Sequence, residues 1–235
     1  MCGRYVTADT ATIVDVFQVD EVGELPAPTF NARPVFEDLG SDEPRVPVVV
    51  DSVRDGVSKR RCWPARWPFT PSWSKSLVMK GPTFNAVAET VAEKPMWRDA
   101  IATHRSIFPA VGYYETQGGG RKRKRFYFHP DGDEVLALGG LYSWWRANRE
   151  SPWIMTAAIL TIRAPGQAGT IHSRAPMVLP ADLWDDWLDP GITAGQEFID
   201  AASQEASSVV QSLQFYEVGL LDENSPAMLR PVDSA

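Results

Sequence analysis

Apolar positions along this chain gather in runs that read as strands, and helical spacing is confined to a few short stretches. Residues 4–6 read as a short strand. From Thr7 to Phe17 the residues Ile13, Val14 and Phe17 share one helical face, with Thr7, Asp9 or Thr10 as the cap. Leu25 to Pro34 is too rich in proline for helix, because proline lacks the backbone donor that a helix needs. Arg45 to Asp51 is a β-branched run, Arg54-Asp55-Gly56 carries turn residues, and Val57 to Trp63 returns, which predicts a hairpin.

Cys62 to Trp73 reads as a loop dense in Trp and Pro. Trp63 and Trp67 suit core packing, whereas Trp73, set among Ser and Lys, suits a core plug and a base-stacking platform equally. Pro95, Met96, Trp97 and Ile101 mark a helix closing near His104 and Arg105. Ser106 to Glu115 reads as a strand, Gly118-Gly119-Gly120 as a turn, and Phe126-Tyr127-Phe128 as the returning strand. Val135 to Leu141 and Ile154 to Ile162 are further apolar strands, and a loop follows with Ile171-His172-Ser173-Arg174-Ala175-Pro176. Ala181 to Leu188 reads as a short helix capped from Asp182, and residues 191–235 hold one more helix and a strand around Leu213 to Val218. No repeat, linker or composition break interrupts the chain, so a single domain over residues 1–235 is expected.

Composition narrows the function classes. A hydrophobic content of 44% supports a sizeable core, and nine Trp with nineteen Pro favour an irregular, loop-rich fold over a helical bundle. Cys2 and Cys62 are the only cysteines, which leaves no disulfide framework and no CxxC zinc pattern; no metal or other cofactor is expected. The start lacks a signal-peptide pattern and no run reaches about 18 apolar residues, so a soluble, cytoplasmic protein without a membrane partner is expected. A net charge of -7 argues against sequence-blind adhesion to nucleic acid. Any such binding must come from a local basic surface, and Arg121-Lys122-Arg123-Lys124-Arg125 is the most obvious one, with a solvated hairpin tip as its plainer reading.

The candidate chemistry sits at Met1-Cys2-Gly3-Arg4-Tyr5. Residue 2 is small, which favours removal of Met1 and leaves Cys2 with a free amine and a thiol on adjacent carbons. The amine can condense with an aldehyde to an imine, and the thiol can then close a thiazolidine ring. With reference pKa values of about 8 and about 8.5, both groups are partly nucleophilic near neutrality. Taken alone, Cys2 reads as one more inert, buried cysteine.

Six segments in order change that weighting: Met1-Cys2-Gly3-Arg4-Tyr5, Phe30-Asn31-Ala32-Arg33-Pro34, Asn85-Ala86-Val87-Ala88-Glu89-Thr90, Lys94-Pro95-Met96-Trp97-Arg98, Gly112-Tyr113-Tyr114-Glu115 and Ile171-His172-Ser173-Arg174-Ala175-Pro176. Together they resemble the SRAP (SOS-response-associated peptidase) family, whose members process abasic sites in DNA, and the resemblance runs from residue 2 to about residue 190. It implies an α+β fold with mostly antiparallel strands around a barrel-like centre and peripheral helices. It implies a partner, single-stranded DNA carrying an abasic site, captured covalently by mature Cys2, with self-reversal of the crosslink and loss of Met1, either autocatalytic or by a cellular aminopeptidase, as associated activities. The protein would act as a monomer.

The same resemblance assigns the site. Glu115 would be the general acid–base, His172 would protonate the sugar oxygen, and Asn85 would orient the sugar or the Cys2 amine. Thr161 would line the pocket, Arg4 and Arg174 would meet phosphates, and Pro34 and Trp73 would wedge or stack against flanking bases. The chain departs from the family where Val87 replaces a phosphate-binding Arg, and at Val111, Thr116, Ser74 and the segment Asp222-Glu223-Asn224-Ser225-Pro226. These changes bear on DNA affinity, for which the 121–125 run could compensate. Two rivals stand beside this reading: an N-terminal-nucleophile amidohydrolase using the Cys2 thiol, and a non-catalytic single-stranded DNA-binding module.

Overall fold

The computed structural model describes residues 2–120 and 123–232. Met1 and the Arg121-Lys122 half of the basic run lie outside the described residues. The elements follow in chain order as β1 (Tyr5–Thr7), α1 (Thr10–Phe17), β2 (Glu21–Val22), β3 (Arg45–Arg54), β4 (Val57–Arg66), β5 (Asn85–Val87), α2 (Arg98–Thr103), β6 (Arg105–Gln117), β7 (Lys124–His129), β8 (Leu136–Trp145), β9 (Ile154–Arg163), α3 (Ala168–Ile171), β10 (Arg174–Pro176), β11 (Val178–Leu179), α4 (Trp184–Leu188), α5 (Gln196–Ser212) and β12 (Gln214–Val218).

The expected hairpin is β3–β4, in register from Arg45↔Arg66 to Arg54↔Val57. Asp55 and Gly56 both take positive φ, 52° and 77°, the backbone twist that joins two antiparallel strands through a two-residue turn. β4 runs on to Arg66, so the first part of the Trp- and Pro-rich stretch is strand and not loop. Continuous pairing with β3, from Val57 to Arg66, extends the strand through Trp63 and Pro64 where composition alone argues for a break.

The strands form one mixed sheet, and five of them close on themselves: β8 pairs β9, β9 pairs β4, β4 pairs β3, β3 pairs β6 and β6 pairs β8. This ring of strands occupies the expected centre of the α+β fold. The main core covers both faces of the ring, with Val48, Phe108 and Leu138 buried on one and Ile107, Ala158 and Leu160 buried on the other. The β4–β9 and β5–β9 pairings are parallel, the rest of the ring antiparallel. Helices pack outside. Asp9 is the cap of α1, accepting from the Thr12 backbone N–H at 3.1 Å. The 181–188 segment is a 3-10 turn leading into α4, and Asp182 makes no capping bond there, since the turn opens on Pro180. α5 buries Ile199, Ala202, Ala206 and Val210, the single stripe expected of a helix lying on a sheet.

β6 positions the site. Its first half, Arg105 to Ala110, pairs with β8 and belongs to the ring. Its second half, Tyr113 to Gln117, leaves the ring to pair with β7, and its other edge receives β1 through Tyr5↔Tyr113. The chain start therefore lies along the strand that carries Glu115.

Candidate active site

The Tyr114 backbone N–H donates to the Arg4 carbonyl at 3.0 Å, which holds the residues ahead of β1 against the Glu115 end of β6. Cys2 is fully buried there, and the Glu115 side chain is 5% exposed as a residue. Burial pushes the Cys2 thiol well above its ordinary range, and the charge of Glu115 pushes it further in the same direction. Burial also raises the Glu115 carboxyl, while His172 acts on it in the opposite sense. Cys2, Glu115 and His172 thus form one electrostatically linked group, although residue 2 and residue 172 lie at opposite ends of the family-like region.

His172 follows α3, where its backbone N–H closes the helix on the Ala168 carbonyl at 3.1 Å. The Arg174 backbone N–H lies 3.0 Å from His172 Nδ1 and donates to that nitrogen when it carries no proton. The Arg174 carbonyl lies 3.1 Å from the same Nδ1. A protonated Nδ1 would donate to that carbonyl, so one backbone residue serves both states of the ring without rotating it.

Asn85 opens β5, set parallel to β9 opposite Ile159. Its Nδ2 donates to the Ile159 carbonyl at 3.4 Å, and its buried Oδ1 has no hydrogen-bond partner among the described residues. A buried acceptor so placed suits an ammonium or hydroxyl donor. Thr161 lies in β9 between Val87 on one side and Pro176 on the other, fully buried, with its hydroxyl donating to the Ala86 carbonyl at 3.3 Å.

The other four residues assigned to DNA contact beside Thr161 are placed differently from one another. Arg4 is half-buried, its Nη1 donating to Asn31 Oδ1 at 2.8 Å and to the Leu221 carbonyl. Its guanidinium pKa is lowered by burial and by the like charges of Arg33 and Arg125. Arg4, Arg123 and Arg125 line a cavity of about 300 Å³ that also contains Gly3, Glu115 and Asp222. Pro34 lines a neighbouring cleft of about 770 Å³ with Arg33, Phe36 and Asp222. Asp222 is shared by both, so they are adjoining hollows, and the first borders the Glu115 end of β6. Arg174 is occupied by Glu89, with which it makes a two-pronged pair, and by the carbonyl of Thr161. Trp73 is 60% exposed and lines a separate cavity of about 300 Å³ with Trp144, Trp153 and His104.

Two features escaped the sequence reading. Tyr5 and Tyr113 are fully buried beside Cys2, and neither hydroxyl has a partner among the described residues. Tyr113 stands two residues before Glu115, so strand periodicity already placed it on the Glu115 face. Arg33, next to Pro34, adds charge near Arg4 and carried only its charge as a signal.

A family model described as SOS response associated peptidase (SRAP) matches residues 1–221. The chain belongs to the SRAP family. Among curated SRAP-like relatives, the abasic site processing protein YoaM of Bacillus subtilis (strain 168) is 29% identical over 236 residues, covering 94% of this chain and 98% of its own. YoqW, also an abasic site processing protein of that organism, is 26% identical over 238 residues, covering 97% and 99%. A crystal structure of a protein from Bacteroides thetaiotaomicron shares the fold at a TM-score of 0.75 and 18% identity, covering 98% of this chain and all (100%) of that one. Among the described residues of this SRAP chain, no group of three or more His, Cys, Asp and Glu is arranged to hold a metal ion. No helix among them is long and apolar enough to cross a membrane.

Proposed function

We propose that this SRAP protein processes abasic sites in single-stranded DNA by forming a thiazolidine between mature Cys2 and the ring-opened deoxyribose. The observation that carries the reading is the convergence of Cys2, Glu115 and His172. Removal of the residue ahead of Cys2, by the protein itself or by a cellular aminopeptidase, frees the amine. The amine attacks the sugar aldehyde, and the carbinolamine loses water to give an imine. Glu115, protonated more readily than an ordinary carboxyl because it is buried, supplies the proton for the departing hydroxyl. His172, with its ring held by the Arg174 backbone, assists opening of the sugar. Asn85 Oδ1 accepts from the amine. Sulfur addition then closes the ring, and the same groups run in reverse release the DNA.

Holding the nucleophiles beside the aldehyde turns a bimolecular encounter into a local one, worth several kcal/mol, on the order of 5 or more. The basic hollow at Arg4, Arg123 and Arg125 adjoins this centre and suits the phosphates beside the lesion. The test uses single-stranded DNA with one abasic site, resolved on a denaturing gel. A heat-stable shifted band that Cys2→Ala abolishes supports the proposal. A shift on native gels alone supports a binding module, and turnover of amide substrates without a DNA shift supports an amidohydrolase.

A further inference from the structure

Arg66 closes β4, opposite Arg45 of β3 and Thr156 of β9, so its backbone belongs to the ring of strands. Its side chain is fully buried and turns to the segment that leads out of Pro34. Nη1 donates to the Val35 carbonyl and Nη2 to the Glu37 carbonyl, each at 3.1 Å. The Val35 backbone N–H donates in turn to the Trp67 carbonyl at 2.8 Å. Buried Glu43 balances the charge: its Oε1 lies 3.1 Å from Arg66 Nη1, yet makes no hydrogen bond among the described residues. Arg45 stands 3.6 Å from the other oxygen. The guanidinium thus gives its hydrogen bonds to a loop and only its charge to the carboxylate. A buried pair is weak support for stability, and what this one supplies is a fixed geometry.

That geometry bears on the candidate site from two sides. Ahead of Pro34, the segment pairs antiparallel with the chain start: the Tyr5 N–H donates to the Ala32 carbonyl at 3.2 Å, and the Ala32 N–H to the Tyr5 carbonyl at 3.0 Å. β1 is therefore held between this segment and β6, and the chain after Ala32 heads back along the side from which Cys2 and Arg4 arrive. Phe36, between the two anchored carbonyls, is 55% exposed and meets the Phe84 ring edge-on at 5.8 Å. Phe84 precedes Asn85, and its carbonyl accepts from Trp67 Nε1 at 2.7 Å. Arg66 and Trp67 thereby tie both the Pro34 segment and the Asn85 strand to the end of β4. Pro34, Val35, Phe36 and Glu37 wall the cleft of about 770 Å³ that adjoins the basic hollow.

We propose that Arg66 is a positioning residue for DNA capture: it fixes residues 33–37 as the wall that seats the nucleotide beside the lesion, and so sets the approach of the sugar to Cys2. This rests on the crosslinking reading above. Arg66 lies behind the wall, touches no reacting atom in that scheme and acts through Val35 and Glu37. A lysine would keep the charge beside Glu43, but its ammonium is a point charge and cannot reproduce the fork that holds two carbonyls. The wall would then shift, and a misplacement of about 1 Å can cost about 100-fold in rate.

The test compares the full mature chain with Arg66→Lys in two reactions. One is crosslinking to single-stranded DNA with a single abasic site. The other is thiazolidine formation with glycolaldehyde, read by mass spectrometry. The expected result is crosslinking slowed about tenfold or more, with the glycolaldehyde reaction at the parent rate, because that substrate has no neighbouring nucleotide to seat. A second readout is non-covalent and uses DNA with a tetrahydrofuran abasic analogue and 2-aminopurine beside it. The parent should change the 2-aminopurine fluorescence at saturation, and Arg66→Lys should lose most of that change. Pro34→Ala should also slow crosslinking, and the double variant should be no slower than the slower single variant, since both act through one wall.

Parent-like crosslinking by Arg66→Lys overturns the proposal. So does equal slowing of both reactions, which marks a general loss of structure, and so does full additivity of the two substitutions. If the parent protein forms no crosslink, the crosslinking reading fails, and the fluorescence still decides whether Arg66 holds the wall against DNA. A parent that leaves the fluorescence unmoved overturns that as well. If Arg66→Lys does not fold, Glu43→Leu with Arg66→Met removes both charges and both loop bonds together, a replacement that buried ion pairs often tolerate, and the same outcomes are read from it.

Discussion

Arg174 grips Glu89 through both arms of its guanidinium, Nη1 to Oε1 at 2.6 Å and Nη2 to Oε2 at 2.8 Å. A phosphate would use the same fork, so DNA can engage Arg174 only by displacing the carboxylate. Glu89→Gln should therefore raise affinity for single-stranded DNA, and the slope of log affinity against log salt should steepen by about 0.7, the increment for one phosphate contact on a single strand. Fluorescence anisotropy over a salt series measures both quantities. Unchanged affinity and slope would show that Arg174 braces the loop that holds His172 and takes no part in DNA binding.

The same pair has a pH signature. The Arg174 hydrogen bonds hold the Glu89 carboxyl below the usual carboxylate range. A depressed folded-state pKa contributes stability that is present above the unfolded value of about 4 and lost as pH falls through the folded value. Half of the pair is exposed, so the contribution is at most about 1 kcal/mol. Arg174→Gln should melt below the parent at pH 7, and the gap should narrow as the pH drops below about 4. Calorimetry at several pH values reads this; a gap that widens in acid would contradict the assignment.

Glu115 carries the opposite sign. Its pKa is raised, chiefly by burial, so the folded protein favours the protonated carboxyl. That contribution is complete below the unfolded value and is lost as pH rises through the folded one. Glu115→Gln keeps a neutral side chain at every pH, so its melting temperature should gain on the parent as pH rises from about 4 towards 8. Crosslinking should respond in the other direction. The parent rate should fall as pH rises past the Glu115 pKa, and Glu115→Gln should be slower by about 100-fold or more without that limb, since a general acid is typically worth this much. An unaltered rate profile in the variant would remove Glu115 from the chemistry.

Long strands were legible because each carries its own evidence. β3, β6, β8 and β9 announce themselves through apolar runs bounded by Gly, Pro and charge. β5 was not, because the strand Asn85–Val87 exists only through its parallel pairing with β9, more than seventy residues away by the register Asn85↔Ile159. The closing of the ring by β6–β8 and β4–β9 is likewise a matter of non-local register, to which local pattern is blind. The candidate site was legible through motif resemblance, which assigns Cys2, Asn85, Glu115 and His172 to the proposed chemistry. What resemblance missed is pairing. The sequence shows that Arg174 is basic, and only the fold shows Glu89 beside it. It shows two tyrosines, and only the fold shows that their hydroxyls lack partners.

The basic hollow yields an expectation of its own. Val87 removes a cation that the family resemblance leads one to expect, and Arg123 and Arg125 stand with Arg4 around the cavity next to Glu115. Arg123→Gln with Arg125→Gln should weaken binding of undamaged and abasic strands alike, and should lower the salt slope by about 1.4 if each side chain meets one phosphate. Crosslinking at saturating DNA should stay at the parent rate, since neither side chain reaches the reacting atoms in the proposed scheme. A loss of rate at saturation, with binding intact, would place these arginines in the chemistry and not in the grip on the backbone.

Gly140 is where the ring leaves least room. It lies in β8 opposite Ser106 on one side and Ile159 on the other, at the point where the strand pairs with both β6 and β9. A Cβ at this position would lie 2.6 Å from the Phe108 ring and 2.7 Å from the Ala158 carbonyl oxygen. The first contact is with a fully buried ring in the main core, and the second is with the backbone of the neighbouring strand, so neither can yield without moving the ring of strands. Gly140→Ala should therefore cost about 3 kcal/mol, at the upper end of overpacking substitutions. For a chain of this size that corresponds to a fall in melting temperature of about 10 °C. Gly119, in the turn after β6, has nothing within 4 Å of a Cβ, so Gly119→Ala should melt close to the parent and serves as the control. Comparable melting of the two variants would mean that the strands around Gly140 can part, and that the closure of the ring is looser than the packing around Phe108 requires.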